Sequence, residues 1–235
     1  MLRQKQMEER RRRILDAAEH LIRKTGGTEF SMIAVAAAAE VSPATPYNLF
    51  RSKAALLYAL LNRSLDEIIQ EGLSFSSNDP IERVLEAAAD AADMFTRDPT
   101  FLRPLYQFLI GVRDPVHRPR FMERSLAFWK TALTAASRGG LLSKEIDHEG
   151  LARALAIHFL GALDLWVHQE LDEEGFRAQV VSGSALLLWA IADPEQQTLL
   201  MHRLQTAKRK RPRQFASQPA SVVALPTSRQ ARSAQ

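Results

Sequence analysis

Residues 31–53 read SMIAVAAAAEVSPATPYNLFRSK, two short helical segments joined by a tight turn. Ser31 is placed to cap the first, which runs through Val35 and a string of alanines to about Ala39, where Glu40-Val41 turns the chain. Ser42 is the expected N-cap of the second, with Pro43 at its first helical position, where a missing N–H costs nothing. The second helix opens on small residues, Pro43, Ala44, Thr45 and Pro46, and closes on Tyr47, Asn48, Leu49 and Phe50. A helix that begins with small side chains can bring its backbone close to another large body. Helix-turn-helix proteins insert that end of their second helix into the major groove of DNA.

The flanks of this stretch are helical too. Ile14, Ala17, Ala18, Leu21 and Ile22 make one apolar stripe that Gly26-Gly27 ends, and its opening turn is Arg10 to Arg13. Cations there oppose the helix dipole, which a nearby phosphate would relieve, as would water around freely pointing arginines. Lys53 opens a further helix through Leu56, Leu57, Leu60, Leu61, Leu65, Ile68 and Ile69, ending near Gly72. Beyond it, Asp-Pro recurs at Asp79-Pro80, Asp98-Pro99, Asp114-Pro115 and Asp193-Pro194, a helix-start signal with Asp as cap and Pro at the next position. Helices are expected at about 80–97, 99–112, 119–138, 148–171, 174–192 and 195–207, with no convincing strand, so the fold class is all-α. Three segments follow: a helix-turn-helix head at residues 1–55, a helical body at 56–207, and a disordered basic tail at 208–235, where Lys, Arg, Pro, Ser, Gln and Ala replace anchoring residues.

Charge is divided along the chain. Residues 1–65 hold 11 Lys/Arg against 6 Asp/Glu, residues 66–201 hold 12 against 21, and residues 202–235 hold 8 against none. Basic ends around an acidic body suit a protein that meets a polyanion at one pole. The chain has 46% apolar residues and no cysteine, so disulfides, a thiolate metal site and a Cys nucleophile are excluded. The longest apolar runs, Met32–Ala39 and Ala185–Ala192, fall far short of the ~20 residues that span a bilayer, so a cytoplasmic protein without membrane contact is expected.

The pattern carried by Ser31, Val35-Ala36, Ala39, Val41-Ser42, Thr45, Tyr47, Phe50 and Ser52-Lys53 closely resembles the N-terminal domain of TetR-type transcriptional regulators. Four positions depart from it: Glu40 stands at the usual turn Gly, Ala44 at the usual Gly of the second helix, Leu49 at a common His or Tyr, and Ile33 where some members place a basic residue. The resemblance implies a homodimeric, DNA-binding regulator of transcription whose last two long helices pair with their symmetry mates. The apolar load of 148–171 and 174–192 fits that role, with Gly161, Gly183 and Ser184 allowing close backbone approach.

Thr45 and Tyr47 carry hydroxyls able to reach a phosphate or base edge, and Ser42 and Asn48 are further polar candidates. Lys53 adds a cation beside a helix terminus, while Pro43, Ala44 and Pro46 offer apolar contact with thymine methyls or sugar edges. In the body, Phe95, Phe108, Phe128, Trp129 and Trp166 can line an apolar cavity between helices, or serve as core. A TetR-type body implies the cavity and an effector, of identity unknown. No H-E-x-x-H, G-x-S-x-G, P-loop or dinucleotide glycine pattern occurs, so no catalytic residue, metal site or cofactor is expected, and His158 and His168 read as satisfied histidines. The resulting expectation is a repressor on a pseudo-palindromic duplex operator, released by a small apolar molecule. The alternative is a DNA-binding architectural or partner-docking protein that senses no small molecule.

Overall fold

The computed structural model describes residues 2–71, 76–138, 142 and 147–210. Among them ten helices follow in order: α1 (Leu2–Thr25), α2 (Met32–Ala38), α3 (Ala44–Phe50), α4 (Lys53–Glu71), α5 (Pro80–Thr96), α6 (Pro99–Ile110), α7 (His117–Arg138), α8 (His148–Val167), α9 (Glu173–Trp189) and α10 (Pro194–Lys210). The only extended pairing among the described residues is an isolated bridge between Leu142 and Ala192.

Short acidic side chains start most of the body helices, as the Asp-Pro spacing predicts. Asp79 accepts from the N–H groups of Ile81 and Glu82 at 2.7 and 3.0 Å, and Asp193 accepts from Gln196 at 2.9 Å. Asp114 caps His117 at 2.6 Å, starting α7 two residues earlier than expected. Asp172 does the same for α9 through Gly175 at 2.7 Å. Each bond satisfies an amide that has no partner inside its own helix.

Other boundaries differ from expectation as well, α9 ending at Trp189 and not 192 among them. Helix α1 begins at Leu2, well before Arg10, because residues 2–13 contain only good helix formers and an i, i+3 pair, Glu9–Arg12, at 2.6 Å. Helix α8 stops at Val167 instead of running to 171. Gln169 adopts a left-handed φ of 63°, and the N–H groups of Gln169 and Glu170 fold back to Trp166 and Leu165. Helix α10 reaches Lys210, so Lys208–Lys210 are helical, and the rest of the expected disordered tail lies outside the described residues.

One apolar cluster runs from Ile14 to Leu200, so no linker separates head from body. Helix α4 joins them: its first turns bury Leu56 and Leu57, Tyr58 stacks against His117 and Phe121 of α7, and the helix packs on α1 and α3 as well as on α6 and α7. The joint is also polar. Arg23 of α1 meets Asp98 of α6 at 2.5 Å, and Arg63 of α4 bridges Asp16 and Glu19 of α1 at 2.6 and 2.5 Å. In the body α5 packs on α9 and α7, with α8 between α7 and α9. Helix α8 is long and apolar enough to cross a membrane by length and composition, but half of that stretch is buried here against other helices.

The body aromatics form a connected cluster. Phe159 sits 5.6 Å from Phe95, 6.2 Å from Trp129 and 5.7 Å from Phe176, which in turn stacks on Trp166 at 5.7 Å. Phe128 meets Trp129 edge-on at 5.2 Å. Phe108 stands apart, its ring 5.2 Å from the Lys53 ammonium at the joint with the head. Of two hollows on the described surface, of about 340 and 480 Å³, neither is lined by any of the five aromatics expected around an effector.

Candidate nucleic-acid interface

The head is a three-helix unit whose core is supplied by Ile14, Leu15, Ala18 and Ile22 of α1, Met32, Val35 and Ala36 of α2, and Pro46 and Phe50 of α3. Ser31 caps α2 by accepting from Ala34 at 3.1 Å, and Ser52 caps α4 by accepting from Ala55 at 3.1 Å. These two caps bracket the turn and α3, and fix their entry and exit.

The turn itself closes by a Schellman arrangement. The N–H of Val41 donates to Ala36 and that of Glu40 to Ala37, with Glu40 in the left-handed region at φ 52°. An L side chain is disfavoured there, and glycine is not. The carboxylate gains little in return, since it is 87% exposed and 3.6 Å from Arg13. A Glu40→Gly protein is therefore expected to be more stable by up to about 1 kcal/mol. Urea unfolding checks this; a lower midpoint with unchanged slope would show that the turn needs the carboxylate.

Helix α3 presents one uncovered face. Ser42, Pro43, Ala44, Tyr47 and Asn48 are exposed, Tyr47 at 48% despite its large ring. Ser42 starts the helix differently from the expectation. Pro43 already has helical dihedrals and the Ser42 carbonyl accepts from Thr45, but the Ser42 hydroxyl meets the Thr45 hydroxyl at 2.7 Å rather than a backbone amide. Thr45 is half-buried, so its hydroxyl is shared between Ser42 and the surface. Pro46 is a correction: it is buried in the head core, where its ring cannot reach a groove. The 3.6-residue period explains this, because Pro46 lies four residues before Phe50, on the core side.

Lys53 is half-buried, and its ammonium lies 5.0 Å from the Phe30 ring and 5.2 Å from the Phe108 ring. It makes no ion pair among the described residues, so its charge is held by two aromatic faces and remains available to an anion. Arg51, ambiguous from its sequence position alone, belongs with this surface. It is exposed, four residues after Tyr47 and thus on the same face, and its φ of 70° turns the chain toward α4. The i, i+4 spacing from Tyr47 was the available signal.

Helix α1 braces this unit at the ends of α2 and α3. Arg13 donates to the Ala39 carbonyl at 2.5 Å, at the end of α2, and Arg11 lies 4.3 Å over the Phe50 ring while reaching the Leu49 carbonyl at 3.5 Å. His158 and His168, read from sequence as satisfied, each donate to a backbone carbonyl, His158 Nε2 to Gln179 at 3.1 Å and His168 Nδ1 to Asp164 at 2.9 Å. No group of three or more metal-ligating side chains comes together among the described residues.

Comparison with known proteins agrees with this architecture. Residues 14–60 match the family described as bacterial regulatory proteins, tetR family. The chain is 37% identical over 91 residues to the HTH-type transcriptional repressor KstR of Rhodococcus jostii (strain RHA1), a stretch covering 39% of this chain and 43% of that protein. The chain thus spans less than half the length of that curated relative. Among solved structures, a TetR transcriptional regulator from Rhodococcus sp. RHA1 superposes with a TM-score of 0.63 at 21% identity, covering 78% of this chain and 97% of that one. A TetR-family regulator from Syntrophomonas wolfei str. Goettingen gives a TM-score of 0.63 at 24% identity, with 77% and 95% covered. Residues 14–60 thus match the N-terminal domain of that family, and the helical body shares the fold of these solved regulators.

Proposed function

We propose that the protein is a homodimeric regulator of transcription, not an enzyme, that reads duplex DNA with α3 and acts as a repressor. The observation that carries the reading is the uncovered face of α3: Tyr47, a large ring left 48% exposed, lies beside Ser42, Pro43, Ala44 and Asn48 on a helix otherwise locked to its core. Ser42, Pro43, Ala44, Thr45, Tyr47, Asn48 and Lys53 form the contact set, with Arg51 added. Residues 1–55 serve as the DNA-binding head and 56–207 as the effector-binding and dimerisation body. The exposed apolar side chains of α8 and α9, Ile157 at 62% and Leu186 at 54%, support pairing of two bodies. Two heads in one dimer would read half-sites about 34–36 Å apart.

Replacing Tyr47 by Ala is expected to weaken operator binding by roughly 1–3 kcal/mol, and replacing Lys53 by Ala to lower affinity for all sequences alike while reducing the salt slope by about one per head. Anisotropy titrations of a labelled operator over a salt series separate the two. An unchanged slope for Lys53→Ala would remove that residue from the phosphate contacts.

Release by a small apolar effector is the finer part of the reading. Its support is the concentration of aromatic side chains in the body, Phe95, Trp129 and Trp166 among them, close to the α6–α4 joint that leads to the head. Such a ligand must favour one separation of the heads over another, typically by ~1–3 kcal/mol of coupling. The mutual packing of those rings favours a second reading, a DNA-binding protein that responds to no small molecule. Operator release measured across a panel of apolar compounds decides between them.

A further inference from the structure

Helix α1 is longer than the head requires. Its first buried described side chain is Ile14, yet the helix starts at Leu2, and residues 3–12 are exposed throughout. At about 1.5 Å per residue the segment before Ile14 is a rod of roughly 18 Å.

Contacts at both ends fix where the rod points. At its C-terminal end, α1 is tied to the body through Arg23, which pairs with Asp98 and lies 4.8 Å over the Phe101 ring. Further toward the N-terminus, Arg13 is bonded to the Ala39 carbonyl beside the α2–α3 turn, and Arg11 sits on Phe50 at the end of α3. Residues 2–10 therefore continue beyond the α2–α3 turn and the end of the helix that carries Tyr47.

The chemistry of this overhang selects its partner. Arg3, Lys5 and Arg10 make no ion pair among the described residues, whereas Glu9 is held by Arg12 at 2.6 Å, leaving Glu8 as the one carboxylate opposing them. Arg3 and Arg10 are seven residues apart and so share a face, roughly 10 Å from each other along the axis. No acidic residue stands in the first turn to meet the helix dipole. Met7 is the one large hydrophobic side chain exposed along the described overhang, so it lacks the apolar stripe by which an amphipathic helix docks into a protein groove. Cations continuous with a DNA-reading face, and no apolar seam, fit a phosphate backbone.

We propose that residues 2–10 form a cationic arm that lies on duplex phosphates beyond the groove read by α3, lengthening the contacted DNA at each half-site. The inference rests on the DNA-binding reading above. It is sequence-independent by construction: the arm adds affinity and salt dependence, not base preference.

The test compares the full-length protein with an Arg3→Ala/Lys5→Ala/Arg10→Ala variant and with a Glu8→Lys variant, on a 40-base-pair duplex enriched by selection and on a random-sequence duplex. All four positions are exposed, and matching thermal midpoints establish that the fold is kept. The triple variant should lose about 2 to 5 from the slope of log K against log salt in a dimer carrying two arms. Hydroxyl-radical protection should shorten at the outer edge of the site while the ranking of operator sequences stays the same. Glu8→Lys should steepen the slope. Wild-type slope and wild-type protection in the triple variant would overturn the arm while leaving the DNA-binding reading intact. Failure of the full-length protein to bind either duplex at low ionic strength would overturn both.

Discussion

A Leu186→Glu protein is expected to sediment as a monomer at micromolar concentration and to lose about 10²- to 10⁴-fold in operator affinity, the gain that linking two binding modules supplies. Leu186 is 54% exposed in the single chain, so the substitution removes little from the core and the fold should hold. On the neighbouring helix Ile157 is 62% exposed, and near the end of α9 Trp189 is 36% exposed. Side chains of this kind stabilise an interface by about 1.5–3 kcal/mol each when fully covered. A carboxylate in their midst would be buried without a partner, at a larger cost. Gly161 points to the same conclusion from another direction, because a Cβ built on it meets nothing within 4 Å of the single chain. Its lack of a side chain serves no contact inside this protomer. A Leu186→Glu protein that stays dimeric, with operator affinity intact, would move the interface away from α8 and α9. Ile157→Arg is the companion test.

Gly183→Ala should destabilise the body by about 1–3 kcal/mol, the usual penalty of overpacking. A methyl group there would lie 2.1 Å from both Cε1 and Nε2 of the His158 ring. The imidazole must then leave its place and give up its bond to the Gln179 carbonyl at 3.1 Å. Because the clash is with a side chain and not with backbone, removing the ring should relieve it. His158→Ala in the Gly183→Ala background is expected to recover most of the lost stability, and the double-mutant cycle gives the coupling directly. Additive losses would mean that α8 and α9 are held apart by something other than this ring. Since these two helices carry Ile157 and Leu186, the single variant should also loosen the dimer, seen as a raised dimer dissociation constant.

The head was legible in the sequence because its signals are local. Ser31 and the Asp-Pro pairs act on amides two or three residues away, and they cap helices in the fold as expected. The 3.6-residue period puts Val35, Ala36 and Phe50 on one side of their helices, and the fold buries them there. Even the Glu40 turn could be located, between the alanine run that ends α2 and the Ser42-Pro43 start of α3, and Glu40 is the residue there with a left-handed backbone. Pro46 reads from its chemistry as a groove contact, yet its register four residues before Phe50 puts it in the head core.

Other features depend on what lies across space, and no local pattern encodes that. Lys53 reads from sequence as a free cation at a helix start; only the fold brings the rings of Phe30 and Phe108 to it from two other elements. The five aromatics assigned to a cavity share a composition and not a location: Phe95, Trp129 and Trp166 join one cluster, while Phe108 faces the head. Likewise the overhang of α1 is invisible as a run of charged helix formers. It becomes an arm once Arg13 is seen bonded at the end of α2 and Arg11 near the end of α3. Helix class, caps and core stripe were thus set by interactions within a few residues, whose geometry the peptide backbone fixes in advance. Which surfaces stayed uncovered was decided by long-range packing, because exposure is a property of the whole set of helices and of none of them singly.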